Sequence, residues 1–431
     1  MFKNINCKNL PSLRRNIVYQ FLYELLIVFI PLFTIPYVSR VLGAENIGLF
    51  SYTYAVANYF VLFANLGIKN YGSRTIAMVR NNKEELNRNF SEILSIHIIF
   101  SIIVIFVYLV LLFFFVEDNL VIFLIQSIYV FAAVFDINWF FFGIEKFKLT
   151  VGRNTLVKIL SVFLVLVFVK TQTDLWIYAL ILALSVFVGQ SVVWFALKQY
   201  VSWRRPSWAN MKQHIRPLFV LFLPILALSL YKYMDKIMLG SISSNVQVGF
   251  YENAEKIINV PMSLIMAFGV VLMPRIANMV TSKDKGEVFK LIDMSMEAVM
   301  LLAIAISFGL AGISFVLAPI FFGYEFEECG ILIMGLAVTV PFMAFANVIR
   351  TQYLIPYKED KIFVVSLFLG AAVNLIVNII LIPYMAARGA VIGTIFAEII
   401  VCIYQSYFVR KKIFIKKYLL NTIPPILIGI V

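Results

Sequence analysis

The chain has 431 residues, of which 62% are apolar and only 14% are charged. This composition excludes an ordinary soluble globular domain. The formal net charge of +13 could indicate a nucleic-acid-binding protein, but the cations are dispersed over many separate segments rather than gathered in one run. We therefore expect membrane lipids, and no nucleic acid, as partners.

Apolar stretches of about 20 residues predict membrane-spanning helices. In chain order, the sequence predicts twelve complete spans near 17–38, 47–66, 93–116, 120–143, 155–169, 175–197, 218–240, 248–274, 291–320, 329–349, 362–384 and 389–409. The chain ends at Val431 inside the run YLLNTIPPILIGIV, which is too short to cross a bilayer. We interpret this run as the start of a thirteenth helix in a sequence that is cut short.

Lysine and arginine change sides with every predicted span. The N-terminus and every second connection are rich in cations, whereas the opposite connections hold only Arg40, Lys170 and Arg388 beside several acids. Cytoplasmic loops carry the excess of Lys and Arg, so the pattern predicts an inner-membrane-type helical bundle with a cytoplasmic N-terminus.

An internal repeat divides the predicted bundle. The segments SRVLGAENIGLFSYTYAV and DKIMLGSISSNVQVGFYENAEKI share Leu-Gly, a short connection and a second Gly near an aromatic residue. From Gly48 to Arg74 is 26 positions, as it is from Gly249 to Arg275. We therefore expect an all-α fold with two pseudo-symmetric six-helix lobes, 1–209 and 210–409, around a central cavity. Residues 410–431 form a basic loop and the start of the extra helix.

Polar side chains inside predicted spans mark the candidate site, because a charge near the bilayer centre costs about 2.5–3.5 kcal/mol and requires a partner or a hydrated cavity. The densest cluster lies where the seventh span meets the eighth. It consists of Lys232, Asp235, Lys236, Glu252, Glu255 and Lys256. Two interpretations stay open: a salt-bridged network that joins two helices, and a wall of a substrate cavity.

Three further polar residues are candidates for binding a coupling ion. Asn374 and Asn378 lie one helical turn apart in the eleventh span, and Glu398 lies near the middle of the twelfth. Glu398 could carry a proton or a cation during transport, or it could form a hydrogen-bonded contact between helices.

No enzyme motif is visible in the sequence. There is no phosphate-binding glycine loop and no nucleophile elbow, and Cys7, Cys329 and Cys402 are too far apart for a metal site. We therefore expect neither catalysis nor a cofactor nor a metal.

The motif residues quoted above, with YKYMDKIMLG and VGFYENAEKI, resemble the polysaccharide transporter family, the O-antigen repeat-unit flippases of Wzx type. The resemblance implies a carrier that moves an undecaprenyl-diphosphate-linked oligosaccharide to the outer leaflet by alternating access, for O-antigen or capsule synthesis. It also implies a polysaccharide polymerase and a chain-length regulator as partners. Arg40, Asp235, Lys236 and Lys256 match recurring positions of that family.

Two other functions remain open from the residues. An ion-coupled multidrug or toxin exporter of the same superfamily would share the repeat and the topology. A membrane glycosyltransferase or polymerase is the alternative from another class, although it would need sizeable outer loops or paired acids, and the predicted outer connections are short.

Overall fold

The computed structural model describes the backbone of residues 10–281 and 285–430, and side chains from Leu32 onward except at a few positions. Cys7 and Val431 lie outside the described residues. The described chain is helical and contains no strand. The helices are α1 Leu10–Asn65, α2 Ile68–Val79, α3 Lys83–Phe115, α4 Leu120–Val134, α5 Asn138–Gly143, α6 Phe147–Phe168, α7 Leu175–Leu197, α8 Trp208–Ile242, α9 Asn245–Thr281, α10 Lys285–Phe322, α11 Cys329–Ala337, α12 Thr339–Ile349, α13 Asp360–Val409 and α14 Ile415–Ile430.

The two longest helices each contain two predicted spans. Gly43 interrupts α1 with φ 77° and ψ 172°, and Ala386 interrupts α13 with φ 48° and ψ −127°. These positive φ values break the helix between the first and second spans and between the eleventh and twelfth. Gly43 adopts this conformation without the steric cost of a Cβ, whereas Ala386 does not.

The described residues include nine helical stretches that are long and apolar enough to cross a membrane. The stretch Leu32–Val79 contains the end of the first predicted span and the whole second span, and Asp360–Val409 contains the eleventh and twelfth. The prediction of an all-α, polytopic membrane bundle is confirmed. After α13 and a short turn, Ile415–Ile430 form α14, a helix of 16 residues.

By contacts, the chain divides into two units. Unit 1 runs through Leu42 and from Thr53 to Leu226, and unit 2 contains Gly43–Tyr52 and everything from Ala227. The division falls between Leu226 and Ala227, well inside α8, rather than at 209–210 near the start of that helix, and the assignment of two six-helix lobes remains a prediction. A short segment from the first repeat, Gly43–Tyr52, thus packs with the second.

Unit 1 has an aromatic core. Trp139 is 2% exposed and stacks on Phe90 with ring centroids 5.6 Å apart, while Phe140 meets Phe90 edge-on at 4.9 Å. A Cβ on Gly72 would lie 2.5 Å from the Trp139 ring, so the small residue lets α2 approach this core closely.

In unit 2, the glycines of the two sequence repeats meet each other. A Cβ added to Gly48 would lie 1.6 Å from the carbonyl oxygen of Asn245, and one added to Gly249 would lie 2.1 Å from that of Ala44. Ala44 and Asn245 each precede their own repeat's glycine by four positions, so the contact is reciprocal. Backbones can approach this closely only where neither residue has a side chain. The contact supports the internal repeat.

We predict that Gly249→Ala destabilises the protein, because its methyl group would overlap the Ala44 carbonyl and force the two helices apart. Overpacking costs about 1–3 kcal/mol. Thermal unfolding of the detergent-solubilised protein measures the effect. Gly309→Ala is the matched control, since nothing lies within 4 Å of a Cβ there. Equal melting temperatures for the two variants would contradict the close approach.

Candidate functional site

The structure brings most of the predicted site residues together in unit 2. Lys232, Asp235 and Lys236 lie on α8, and their predicted neighbours Glu252, Glu255 and Lys256 lie on α9. Arg40 is exposed on α1 and belongs to unit 1. Lys232 is also exposed, and its Nζ lies 5.4 Å from the centroid of the Tyr233 ring. Lys232 therefore takes no part in the ion pairs between the two helices.

An ionic network joins α8 to α9. The Nζ of Lys236 lies 2.5 Å from Oε2 of Glu252 and 2.9 Å from Oε2 of Glu255. Glu252 also accepts from Lys256, one turn along α9, at 3.1 Å. The side chain of Lys236 is 9% exposed and that of Lys256 is 32% exposed. Lys236 is thus enclosed between two carboxylates, whereas Lys256 has one carboxylate and a partly accessible ammonium group.

Asp235 lies beside this network but has a different environment. Its Oδ2 accepts a hydrogen bond from the Tyr251 hydroxyl at 2.6 Å and lies 3.1 Å from the Thr394 hydroxyl. Its Oδ1 accepts from the Asn378 amide at 2.5 Å. Among the described residues, no cation pairs with this buried carboxyl group. Neutral donors therefore surround Asp235, and they come from α9 and from the parts of α13 before and after the break at Ala386.

One atom of this second cluster has no partner. The amide nitrogen of Asn378 donates to Asn374 at 3.1 Å as well as to Asp235, but its Oδ1 is buried without a hydrogen bond. Gly393 faces this oxygen, and a Cβ there would lie 2.2 Å from it. An unpaired buried acceptor next to a carboxylate favours a small cation or a proton, because oxygen ligands suit hard cations.

Glu398 lies on α13, the same helix as Asn374 and Asn378. It is 6% exposed on α13 and lies within electrostatic range of Arg350, whose guanidinium donates to Asn347 at 2.6 Å. Of the three coupling-ion candidates, Asn374 and Asn378 lie at the Asp235 cluster, and Glu398 lies one helical turn after the cluster member Thr394. The described residues contain no group of three His, Cys, Asp or Glu side chains that could hold a metal ion.

Sequence reasoning missed two members of the Asp235 cluster. Tyr251 and Thr394 are ordinary residues of membrane helices, and no spacing in the sequence relates Thr394 to α8. It also missed a buried pair in unit 1, where the His214 ring lies 2.9 Å from a Glu92 oxygen and 2.6 Å from the Tyr71 hydroxyl. The sequence did contain one signal for this pair, because Glu92 and His214 are ionisable residues that lie within or next to apolar segments.

We predict that Lys236→Met destabilises the protein by about 3–5 kcal/mol, because it leaves Glu252 and Glu255 short of their shared cation. Lys232→Met is the control, one turn away on the same helix but exposed. Adding Glu255→Gln to Lys236→Met should recover part of the loss, since Glu255 forms its ion pair with Lys236. Thermal unfolding in detergent measures all three. No recovery in the double variant would contradict the paired network.

Comparison with known proteins places these features in a family. The family model described as "Polysaccharide biosynthesis protein" matches residues 13–280. A Shigella dysenteriae protein named as an O-antigen transporter is 24% identical over 408 residues, which cover 91% of this chain and 99% of that protein. An Escherichia coli K12 protein of the same name is 26% identical over 411 residues, covering 94% of this chain and 98% of the relative.

The fold has a solved counterpart. The inward closed conformation of the lipid II flippase MurJ superposes with a TM-score of 0.74 at 16% identity, covering 96% of this chain and 91% of that one. The relatives are named as transporters and flippases rather than catalysts, which agrees with the prediction that this protein is not an enzyme. Since the family model spans more than half of the chain, this multi-pass membrane protein belongs to the polysaccharide biosynthesis protein family.

Proposed function

We propose that the protein is a flippase that moves an undecaprenyl-diphosphate-linked oligosaccharide from the cytoplasmic to the outer leaflet of the bacterial inner membrane. Its relatives named as O-antigen transporters, which align over nearly the whole chain, support this substrate class. The alternation of cationic and cation-poor connections supports a cytoplasmic N-terminus. Polymerase and chain-length regulator partners remain part of this proposal.

The chemistry of the substrate requires a carrier. An oligosaccharide that crossed the hydrocarbon unaided would leave about a dozen hydroxyl groups without partners, at about 2–7 kcal/mol each. The apolar polyprenyl tail, in contrast, partitions favourably into the hydrocarbon of the bilayer. A carrier therefore needs a polar interior path for the sugar and diphosphate, with access to lipid for the tail.

The ionic network on α8 and α9 is the observation that carries the proposal. Charged groups in membrane helices are expensive, and a purely structural contact between two helices does not require four of them. Lys236 is held by two carboxylates, whereas Lys256 is 32% exposed and has one. We assign Lys256 as the cation that meets the diphosphate, through charge-assisted hydrogen bonds.

The Asp235 cluster supplies a site for the coupling ion. A cation or proton bound there would neutralise a carboxylate that neutral donors alone now surround. The side chains of this cluster come from α8, α9 and the two parts of α13 on either side of Ala386. A bound ion would therefore favour one arrangement of these helices over another. Asp235 is adjacent to Lys236 in sequence, so the ion site and the ionic network share α8. Asp235 stands at the centre of this proposed coupling site together with Asn374 and Asn378, and Glu398, one turn after Thr394, keeps its proposed role in coupling.

The proposed function predicts that this chain restores surface polysaccharide in a host that lacks its own flippase and makes a matching glycan. The accumulated lipid-linked oligosaccharide on the cytoplasmic side should fall at the same time. Immunoblots of surface polysaccharide and mass spectrometry of extracted lipid-linked sugars measure the two quantities. Continued accumulation with the protein folded and the glycan matched would favour export of drugs or toxins instead.

A charge-reversal variant tests the assignment of Lys256 in the same export experiment. Lys256→Glu should reduce export at least tenfold, because it presents an anion to the diphosphate. Lys411→Glu makes the same charge change at an exposed position after α13 and should leave export unchanged. Both variants must be present at wild-type abundance. Equal export by the two would remove Lys256 from the substrate path.

We predict that Asp235→Asn abolishes the dependence of transport on the ion gradient. Asparagine retains the size of the side chain but removes its charge. Transport of the lipid-linked sugar into the outer leaflet of proteoliposomes, with imposed Na⁺ or proton gradients, measures the dependence. Asp293→Asn is the control, since Asp293 pairs with Lys417 at a partly exposed site on α10. Unchanged gradient dependence in Asp235→Asn would exclude this cluster as the coupling site.

A further inference from the structure

Unit 1 contains a cationic pocket that the proposed transport cycle does not use. The pocket has a volume of about 410 Å³ and is lined by residues from three separate turns. Arg80 and Lys83 come from the connection between α2 and α3, Lys146 from the connection between α5 and α6, and Tyr200 from the segment after α7. Its volume is within the range of roughly 300–1,000 Å³ that is typical of small-molecule sites.

The backbone holds the first two turns in place. Asn82 caps α3 by accepting hydrogen bonds from the amides of Glu84 and Glu85 at 3.1 and 3.3 Å. Glu145 adopts a left-handed φ of 59°, and the amide of Lys146 donates to the Phe141 carbonyl at 2.9 Å. The positions from which the lysines project are therefore set by the fold.

The third turn is anchored to the core of unit 1. The Tyr200 amide donates to the Leu197 carbonyl at 2.9 Å, and its ring meets the buried Phe141 edge-on at 5.8 Å. The Lys146 ammonium lies 5.9 Å from the centroid of the Tyr200 ring. An aromatic side chain and a cation thus share one wall of the pocket.

The charges in the pocket do not cancel. Arg80 pairs with Glu145 at 2.6 Å. Among the described residues, Lys83 and Lys146 form no ion pair. Glu84, next to Lys83, is engaged by Arg204 at 3.0 Å instead. The pocket therefore keeps two uncompensated ammonium groups, with the amide side chains of Asn81 and Gln199 on its lining.

We propose that this pocket binds the phosphate of an anionic lipid headgroup at the membrane surface. The three turns connect membrane-spanning helices on the side that the positive-inside rule makes cytoplasmic, where headgroup phosphates lie. Basic pockets between membrane helices on that side bind anionic headgroups. Lys83 and Lys146 contact the phosphate. The side-chain amides of Asn81 and Gln199 and the Tyr200 hydroxyl bind the polar group attached to it.

Two kinds of lipid have an anionic phosphate headgroup of this type: a bilayer phospholipid and the polyprenyl diphosphate of the proposed substrate. Native mass spectrometry of the full chain in detergent distinguishes them, with phosphatidylglycerol, phosphatidylcholine of the same acyl chains, and farnesyl diphosphate as probes. The wild-type protein should retain phosphatidylglycerol, farnesyl diphosphate or both in preference to phosphatidylcholine. Lys83→Ala with Lys146→Ala should weaken that binding by about fivefold for each lysine.

The control is Lys411→Ala with Lys412→Ala, which removes two exposed cations from a connection in unit 2. Loss of phosphatidylglycerol in the pocket variant alone identifies a bilayer phospholipid as the ligand, and this outcome does not depend on the proposed flippase function. Loss of farnesyl diphosphate alone identifies the substrate's diphosphate. Equal losses in pocket and control variants, or no loss of either probe, would overturn the proposal.

Discussion

The pairing of Lys236 with Glu252 and Glu255 is the interaction on which the arrangement of α8 and α9 depends. In lipid the hydrophobic effect does not drive helices together, so packing and polar contacts must do so. Each of the three ionised groups would be costly alone in an apolar segment, but together they satisfy one another at 2.5 and 2.9 Å. The pairing fixes which faces of the two helices meet.

That choice of faces also determines the surroundings of Asp235. With Lys236 directed at α9, its neighbour Asp235 meets Tyr251, Asn378 and Thr394. Two polar clusters of different character therefore lie on successive residues of α8. One is neutralised internally, while the other is a carboxyl group among neutral donors with an unpaired amide oxygen next to it. The first suits a fixed structural and substrate-binding role, and the second suits reversible binding of an ion.

Close backbone contact complements these polar interactions. Gly48 and Gly249 let the segment Gly43–Tyr52 approach α9, and the Ala44 amide donates to Glu325 at 2.8 Å. Small residues and specific hydrogen bonds are how membrane helices associate, and such contacts can be exchanged for others at modest cost. The lysines discussed above differ in burial and in ion pairing. Lys236 is enclosed by two carboxylates, Lys256 is partly exposed, and Lys83 and Lys146 form no ion pair among the described residues.

The sequence alone predicts the helical membrane fold, because a run of about 20 apolar residues whose backbone groups must all be hydrogen-bonded has few alternatives to a helix in a bilayer. It also located the ionic cluster, since lysines and acids in apolar segments need partners, and it related Gly48 to Gly249 through the repeat. Which charges pair depends on how the helices pack, because a partial rotation of a helix about its axis changes which side chains its neighbours meet. The structure also adds Tyr251 and Thr394 to Asp235 across 16 and 159 residues of chain. Contacts at such distances along the chain depend on how helices pack, which local residue patterns do not encode.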